Sequence, residues 1–502
     1  MTTASLLVLA AATTASLVSE PRISEIPGSP SMQLLAECRI PGTSTDKSGL
    51  TGKDRSGVAE NLFGSWGSGI DWESDNTTDE DRAQGIIRGT LLSVCDRGPF
   101  DGASSFRCRV QRMRMTLTLP KDNALGTLAL DNTVTYLLAG QGQEAGQETG
   151  QQAEGKGAAS VPLVGSLDAL SPALHVPTWT LGTPQAAAIA TSFPARLDPE
   201  SIRIAPAKVG PASMAVNWWV SDEYGPWIDV FTPVMAAAAE GATATEPASE
   251  HVASAAAVLK ARILLPERYR VKNPGATYEA EMPPANVTGR APNRGLESLA
   301  VSPDGTTLYA MTQSPLLQDN LLEGTRRMGT NMRLLVIDLT KLAEGGATRE
   351  YVYQLSHRGN GVNELLVWDD STLLVLERCG SPGEKAKKRM VYAINLAQLG
   401  TTEQTGPGKV GTGKASDVSG IESLPREELP AGIAPLSKQP WLDLLDPALG
   451  LKGAAMPEKI EGLAKGPTLP DGRGLLLVSV DNDILPEQDN VVWAFAVGKG
   501  SN

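Results

Sequence analysis

Histidine and cysteine are scarce in this chain of 502 residues, which holds three His (His175, His251, His357) and four Cys (Cys38, Cys95, Cys108, Cys379). They form no CxxC, HExxH or HxH spacing, which argues against a zinc site built on those motifs. No GxSxG occurs, so the nucleophile elbow of α/β-hydrolases is absent. Aromatic residues make up only 5%, so the core must lean on Leu, Val, Ile and Ala. Positive charge is in deficit: 44 Lys and Arg against 57 Asp and Glu give a net charge of −13. That balance argues against binding nucleic acid or an anionic membrane surface, which needs a basic face. It suits a protein that gathers cations. No apolar run approaches the ~20 residues needed to span a bilayer. With 41% hydrophobic and 20% charged residues, the chain is still an ordinary globular one.

The longest N-terminal apolar run, Ser5 to Ala12, is followed by the small residues Thr13-Thr14-Ala15. This reads as a short signal peptide lacking a basic n-region, within a disordered segment 1–30. The expected location is therefore periplasmic or secreted, and cytoplasmic if the run is not a signal. Cys95 and Cys108 flank a turn-rich segment, Asp96 to Gly102, which would bring both sulfurs within disulfide reach of paired strands. Cys38 and Cys379 either pair or stay free.

Short β-branched and aromatic runs bounded by Gly, Pro, Asp and Ser dominate the rest, as in Asn217-Trp218-Trp219-Val220 and Leu373-Leu374-Val375-Leu376. Three stretches, 140–157, 236–257 and 399–453, read as insertions in one domain covering 31–502. An internal repeat organises the chain: a Gly or Pro, an acidic residue, then an apolar strand. Its copies are Gly69-Ile70-Asp71, Asp198-Pro199-Glu200-Ser201-Ile202, Gly295-Leu296-Glu297, Gly361-Val362-Asn363-Glu364 and Lys459-Ile460-Glu461-Gly462-Leu463. Each leads to a second strand with a polar end: Cys95-Asp96-Arg97, Ser221-Asp222-Glu223, Thr312-Gln313, Glu377-Arg378 and Val480-Asp481. Repeated strand units that cannot bury both faces alone close into a ring. The expectation is an all-β chain forming a single β-propeller of six blades, with seven as the alternative and long loop insertions. A strand near Leu34–Ile40 would close the ring against Val491–Val497.

At these residues the chain resembles the phytase-like family, described by the esterase-like activity of phytase. The matching segments are Leu197 to Ile202, Trp219 to Pro226, Gly295 to Gly305, Ser314-Pro315-Leu316 and Ile460 to Ala464. Cys95-Asp96-Arg97-Gly98-Pro99 resembles the family's Ser-Asp-Arg-Gly-Pro with Cys in place of Ser, and Asn363 stands where a Ser is more usual. The resemblance implies a metal-dependent phosphoesterase or esterase.

Acidic residues recurring at strand starts and ends would gather on one face of a propeller. Carboxylate oxygens in excess select Ca2+ or Mg2+ over soft metals. The expected cofactor is Ca2+, with Asp71, Asp96, Glu200, Glu297, Glu364, Glu377, Glu461 and Asp481 as candidate ligands. Arg97 and Arg378 would hold phosphate oxygens bidentately. Asp222 and Glu223 are the catalytic candidates. Alternation along an extended segment points them to opposite sides, and Glu223 has the longer reach into the channel. Turn capping is the structural reading for any one of these acids, and Asp304-Gly305 is a hairpin turn. Gly406 to Gly411 fits GxGxxG but follows no strand, so it is a loop and not a dinucleotide site.

Three functions compete: a metal-dependent phosphoesterase, a non-catalytic propeller that binds a ligand or protein, and a lactonase-like Ca2+-dependent hydrolase. The expected partner is a small, phosphorylated molecule. No nucleic acid and no membrane span are expected, and the chain is expected to be a monomer.

Overall fold

A computed structural model describes residues 21–498, except 56, 97–105, 122–123, 142–159, 166–172, 186, 206–216, 235–254, 276, 321, 324–325, 347 and 401–414; side chains of 322–323 and 326–327 are also outside the description. The signal-peptide run, Arg97 and parts of all three insertions therefore lie outside the described residues.

Five four-stranded antiparallel units follow one another. Blade I is Gly69–Asp75, Ile86–Val94, Arg109–Thr118 and Thr127–Gln141. Blade II is Pro199–Ala205, Asn217–Asp222, Trp227–Val234 and Ala255–Leu264. Blade III is Leu296–Val301, Thr307–Thr312, Asn331–Asp338 and Thr348–Gln354. Blade IV is Gly361–Asp369, Thr372–Arg378, Arg389–Asn395 and Lys438–Asp443. Blade V takes Ile460–Thr468, Gly474–Val480 and Asn490–Val497 from the end of the chain, and Met32–Ile40 from its beginning. The last pairing runs antiparallel from Met32↔Val497 to Ile40↔Asn490, so the two ends of the ring are sewn together as expected.

The first strand of each blade packs against the first strand of the next, and blade V returns to blade I. The ring is thus closed with five blades. The all-β single propeller is what the sequence indicated; the count of six is corrected to five. The expectation of more blades rests on strand-rich gaps between the five repeat copies, and the gap before blade II holds no blade of its own. Its strands, Ser160–Pro162, Ala173–Thr180 and Ile189–Pro194, join the outer edges of blades I and II instead. There the outer strands of the two blades also pair in parallel, from Ala255↔Tyr136 to Val258↔Ala139.

Five large apolar cores hold the ring, one between each pair of neighbouring blades. Strand alternation divides the side chains between them. Trp218 packs between blades I and II, while the adjacent Trp219 packs between II and III. The 399–453 insertion is only partly a loop. Lys438–Asp443 is the outer strand of blade IV, and Val418 and Leu424 make a small core with Val352. Asp304-Gly305 forms the expected hairpin turn, with Gly305 at φ +72°. All four cysteines are free, so the expected Cys95–Cys108 bridge is absent: Cys95 packs in the core between blades V and I, Cys108 in that between I and II. Among the described residues no helix is long and apolar enough to cross a membrane.

Candidate functional site

The repeat places one polar residue at the start of each inner strand, and a backbone irregularity aims it. The pairing of inner and second strands shifts register between Pro199 and Ile202, Leu296 and Ser298, Val362 and Glu364, and Ile460 and Gly462. The residues within these bulges include Glu200, Glu297, Asn363 and Glu461. A bulge breaks the alternation of the strand and re-aims a side chain. Blade I has no bulge at this position; its register is regular from Gly69 to Trp72.

A cavity of about 130 Å³ opens at this end of the ring, lined by Asp96, Glu200, Glu223, Asn293, Arg294, Glu297, Gln313, Arg378, Glu458, Lys459, Glu461 and Asp483. Three groups of buried carboxylates meet around it: Asp96, Glu461 and Asp481; Asp96, Asp198 and Glu200; and Glu200, Glu223 and Glu297. Within each group the oxygens lie within 4.8 Å of one another. Two oxygens each ~2.4 Å from a shared Ca2+ can be no farther apart than that, so the spacing suits a hard divalent cation.

Burial is the main influence on these acids. It raises the Glu200 carboxyl well above its usual range, and the charges of Asp96, Glu297, Asp198 and Glu223 add to it. Glu297 is raised by burial and then by Glu223 and Glu461. Glu223 is raised by burial and then by Asp96, against the pull of Arg290 and Arg294. Glu223 Oε1 accepts the Gly295 N–H at 3.2 Å. Gly295 cannot be replaced without moving the chain here, because a Cβ would lie 1.7 Å from the Glu223 carbonyl oxygen. Glu297 Oε1 accepts from Gln313 and from Asn363 Nδ2 (2.9 Å), while its buried Oε2 has no hydrogen-bond partner. A buried carboxylate oxygen left unpaired is costly, and a cation would satisfy it. The donor set therefore fits Ca2+.

The cations of the cavity wall are unevenly placed. Arg378 Nη2 bonds Glu461 Oε1 at 2.5 Å, and Lys459 Nζ lies 3.2 Å from Asp96 Oδ2 and 2.5 Å from Asp483 Oδ1. Arg294 Nη1 bonds Gln313 Oε1.

Of the residues singled out in the sequence, Asp96, Glu200, Glu297, Glu461, Glu223 and Arg378 line the cavity, and Asp481 joins them through its carboxylate group. Asp222 faces the other way. It accepts the backbone N–H groups of Asp198 (2.9 Å) and Gly225 (2.9 Å) and so fixes the turn. Asp71 accepts the Ile204 N–H at 2.7 Å and ties blade I to blade II. Glu364 is buried among the inner strands, paired with Arg203 at 2.8 Å and with the Ser201 hydroxyl. The Arg203 guanidinium also reaches carbonyls of Ile70, Leu299 and Leu365, which spans the inner strands of blades I, III and IV. Glu377 sits between blades III and IV, saturated by Lys438, Tyr353, Ser356 and Asn360. Sequence reasoning missed Arg294, Lys459, Asp198 and Asn363. Asp198 and Lys459 open copies of the repeat and Arg294 directly precedes one, which was the available signal. Asn363 was passed over because Glu364 carried the charge that the pattern sought.

Three comparisons bear on this arrangement. The profile of the phytase-like family, described as "Esterase-like activity of phytase", matches residues 74–484. A protein of Arthroderma benhamiae named "Uncharacterized secreted protein" is 30% identical over 139 residues, which is 27% of this chain and 23% of that protein. A Trypanosoma rangeli sialidase in complex with 2,3-difluorosialic acid overlaps 94% of this chain and 59% of its own, at 10% identity and TM-score 0.27. A mutant of that sialidase displaying trans-sialidase activity overlaps 91% and 58%, at 10% identity and TM-score 0.28. So low a TM-score carries no functional meaning.

Proposed function

Because the chain belongs to the phytase-like family, we propose that it is an exported, Ca2+-dependent hydrolase of ester bonds, with small phosphoric esters as the first substrate class. The reading rests on one observation above others: three overlapping groups of buried carboxylates around a single cavity at one end of the ring. A Ca2+ ion bound there would neutralise the acids, draw in an anionic ester and make a bound water more acidic. Glu200, Glu223 and Glu297 would hold it. Arg378 and Arg294, in the cavity wall, would orient the ester's oxygens. Export is supported by the apolar run from Ser5 to Ala12 and by the name of the Arthroderma protein.

The test is a screen of purified protein on phosphomonoesters, phosphodiesters, carboxyl esters and lactones, with Ca2+ and with a chelator. Turnover of a phosphoric ester that chelation abolishes is the expected result. Turnover of lactones alone would replace this reading with a lactonase. No turnover of any ester would leave a binding propeller.

A further inference from the structure

The carboxylate groups of the mouth are not equivalent. The group of Asp96, Glu461 and Asp481 already has cations of its own. Lys459 Nζ contacts Asp96 at 3.2 Å, and Arg378 Nη2 holds Glu461 Oε1 at 2.5 Å. Asp481 accepts the hydroxyls of Ser65 (2.8 Å) and Ser68 (2.6 Å). Lys459 Nζ also lies 2.5 Å from Asp483 Oδ1, so it is ringed by acids. The group of Glu200, Glu223 and Glu297 has no cation bonded to it; Arg290, Arg294 and Arg378 act on its acids only from a distance. Among the described residues none of these three carboxylates forms an ion pair, and the hydrogen-bond donors to Glu223 and Glu297 are neutral: the Gly295 N–H, Gln313 and Asn363. Glu297 Oε2 is left without any partner in a residue only 2% exposed.

We propose that the mouth takes one divalent cation, at Glu200, Glu223 and Glu297, and that Lys459 is a tethered ammonium occupying the place of a second cation beside Asp96, Glu461 and Asp481. Three close carboxylates cannot all stay ionised in a dry site without a counter-charge. One group meets that need from the chain and the other must meet it from solution. This inference rests on the metal-dependent reading above, but its test reads binding and not turnover.

Ca2+ would be titrated calorimetrically into the metal-stripped full chain. One ion per wild-type chain is expected. Glu297→Gln should weaken binding at least about tenfold by removing charge from the unpaired group. Lys459→Met should raise the stoichiometry to two, with circular dichroism confirming the fold. Two ions or none in the wild type would overturn the proposal, and so would affinity unchanged in Glu297→Gln. A stoichiometry of one in a folded Lys459→Met chain would overturn the tethered role of the lysine. One bound Ca2+ without turnover in the ester screen would sink the hydrolase reading and keep this one.

Discussion

Asp222 and Glu223 are adjacent acids with opposite surroundings, and substitution should separate them. Asp222 is spent on backbone N–H groups of its turn, and Glu223 faces the cavity. Glu223→Gln keeps the size and the acceptor for Gly295 but removes the charge. If the mouth is a metal-dependent hydrolase, kcat should fall at least about tenfold, roughly 1.4 kcal/mol of barrier. In chelator the melting temperature should hold or rise, since a buried charge is gone. Asp222→Asn should do the reverse. It loses an acceptor for a buried N–H, which costs about 1–3 kcal/mol of stability, while kcat is retained. Equal activity in Glu223→Gln and wild type, measured at saturating substrate, would remove Glu223 from the chemistry.

The informative element is the bulged start of the inner strand. Four blades share it, and three present a glutamate there while blade IV presents Asn363. Asn363 Nδ2 donates to Glu297 Oε1 at 2.9 Å, so the amide braces a carboxylate of the proposed cation site. Asn363→Asp would turn this donor into a fourth acid. Metal-stripped protein should lose about 1–3 kcal/mol from the broken bond to a buried acceptor. Added Ca2+ should recover more stability in the variant than in the wild type, because the new charge favours the cation. Denaturant melts with chelator and with Ca2+ check this, and an unchanged midpoint in chelator would show that the brace is dispensable.

For the whole molecule, buried acids set the dependence of stability on pH. Burial pushes Asp222 up to about 6 and Glu364 up to about 8, the latter against the attraction of Arg203. Glu200 and Glu297 move in the same direction. A carboxyl raised on folding contributes stability that is complete below its unfolded value and lost as pH rises through its folded value. Glu377 runs the other way: burial raises it, but Lys438, Ser356 and Asn360 outweigh that and lower it. Its stability fails only at acid pH, below this window. The metal-stripped protein should therefore melt lower at about pH 8 than at about pH 5. Ca2+ should narrow that gap by supplying the missing counter-charge. Thermal melts across this range decide it; a melting point that climbs with pH in chelator would contradict the account.

The sequence by itself determined the class of fold and the ends that close it. Apolar strands bounded by turn residues can bury both faces only by stacking in a ring, and the run from Leu34 to Ile40 matches the last strand for that reason. Five copies of the repeat were legible, and five is the number of blades. The expectation of a sixth came from strand-rich gaps between the copies; strands there, such as Ala173–Thr180, attach to blade edges, which no local pattern reveals. The candidate site was legible as a list of acids and not as a geometry. Asp71, Asp222, Glu364 and Glu377 look like Glu200 and Glu297 in sequence, yet each is committed to backbone or to a neighbouring cation elsewhere. Which acids converge depends on bulges that shift a strand by one residue and on Arg, Lys and amide groups brought from distant blades. Those contacts exist only once the ring has closed, so only the tertiary structure could decide them.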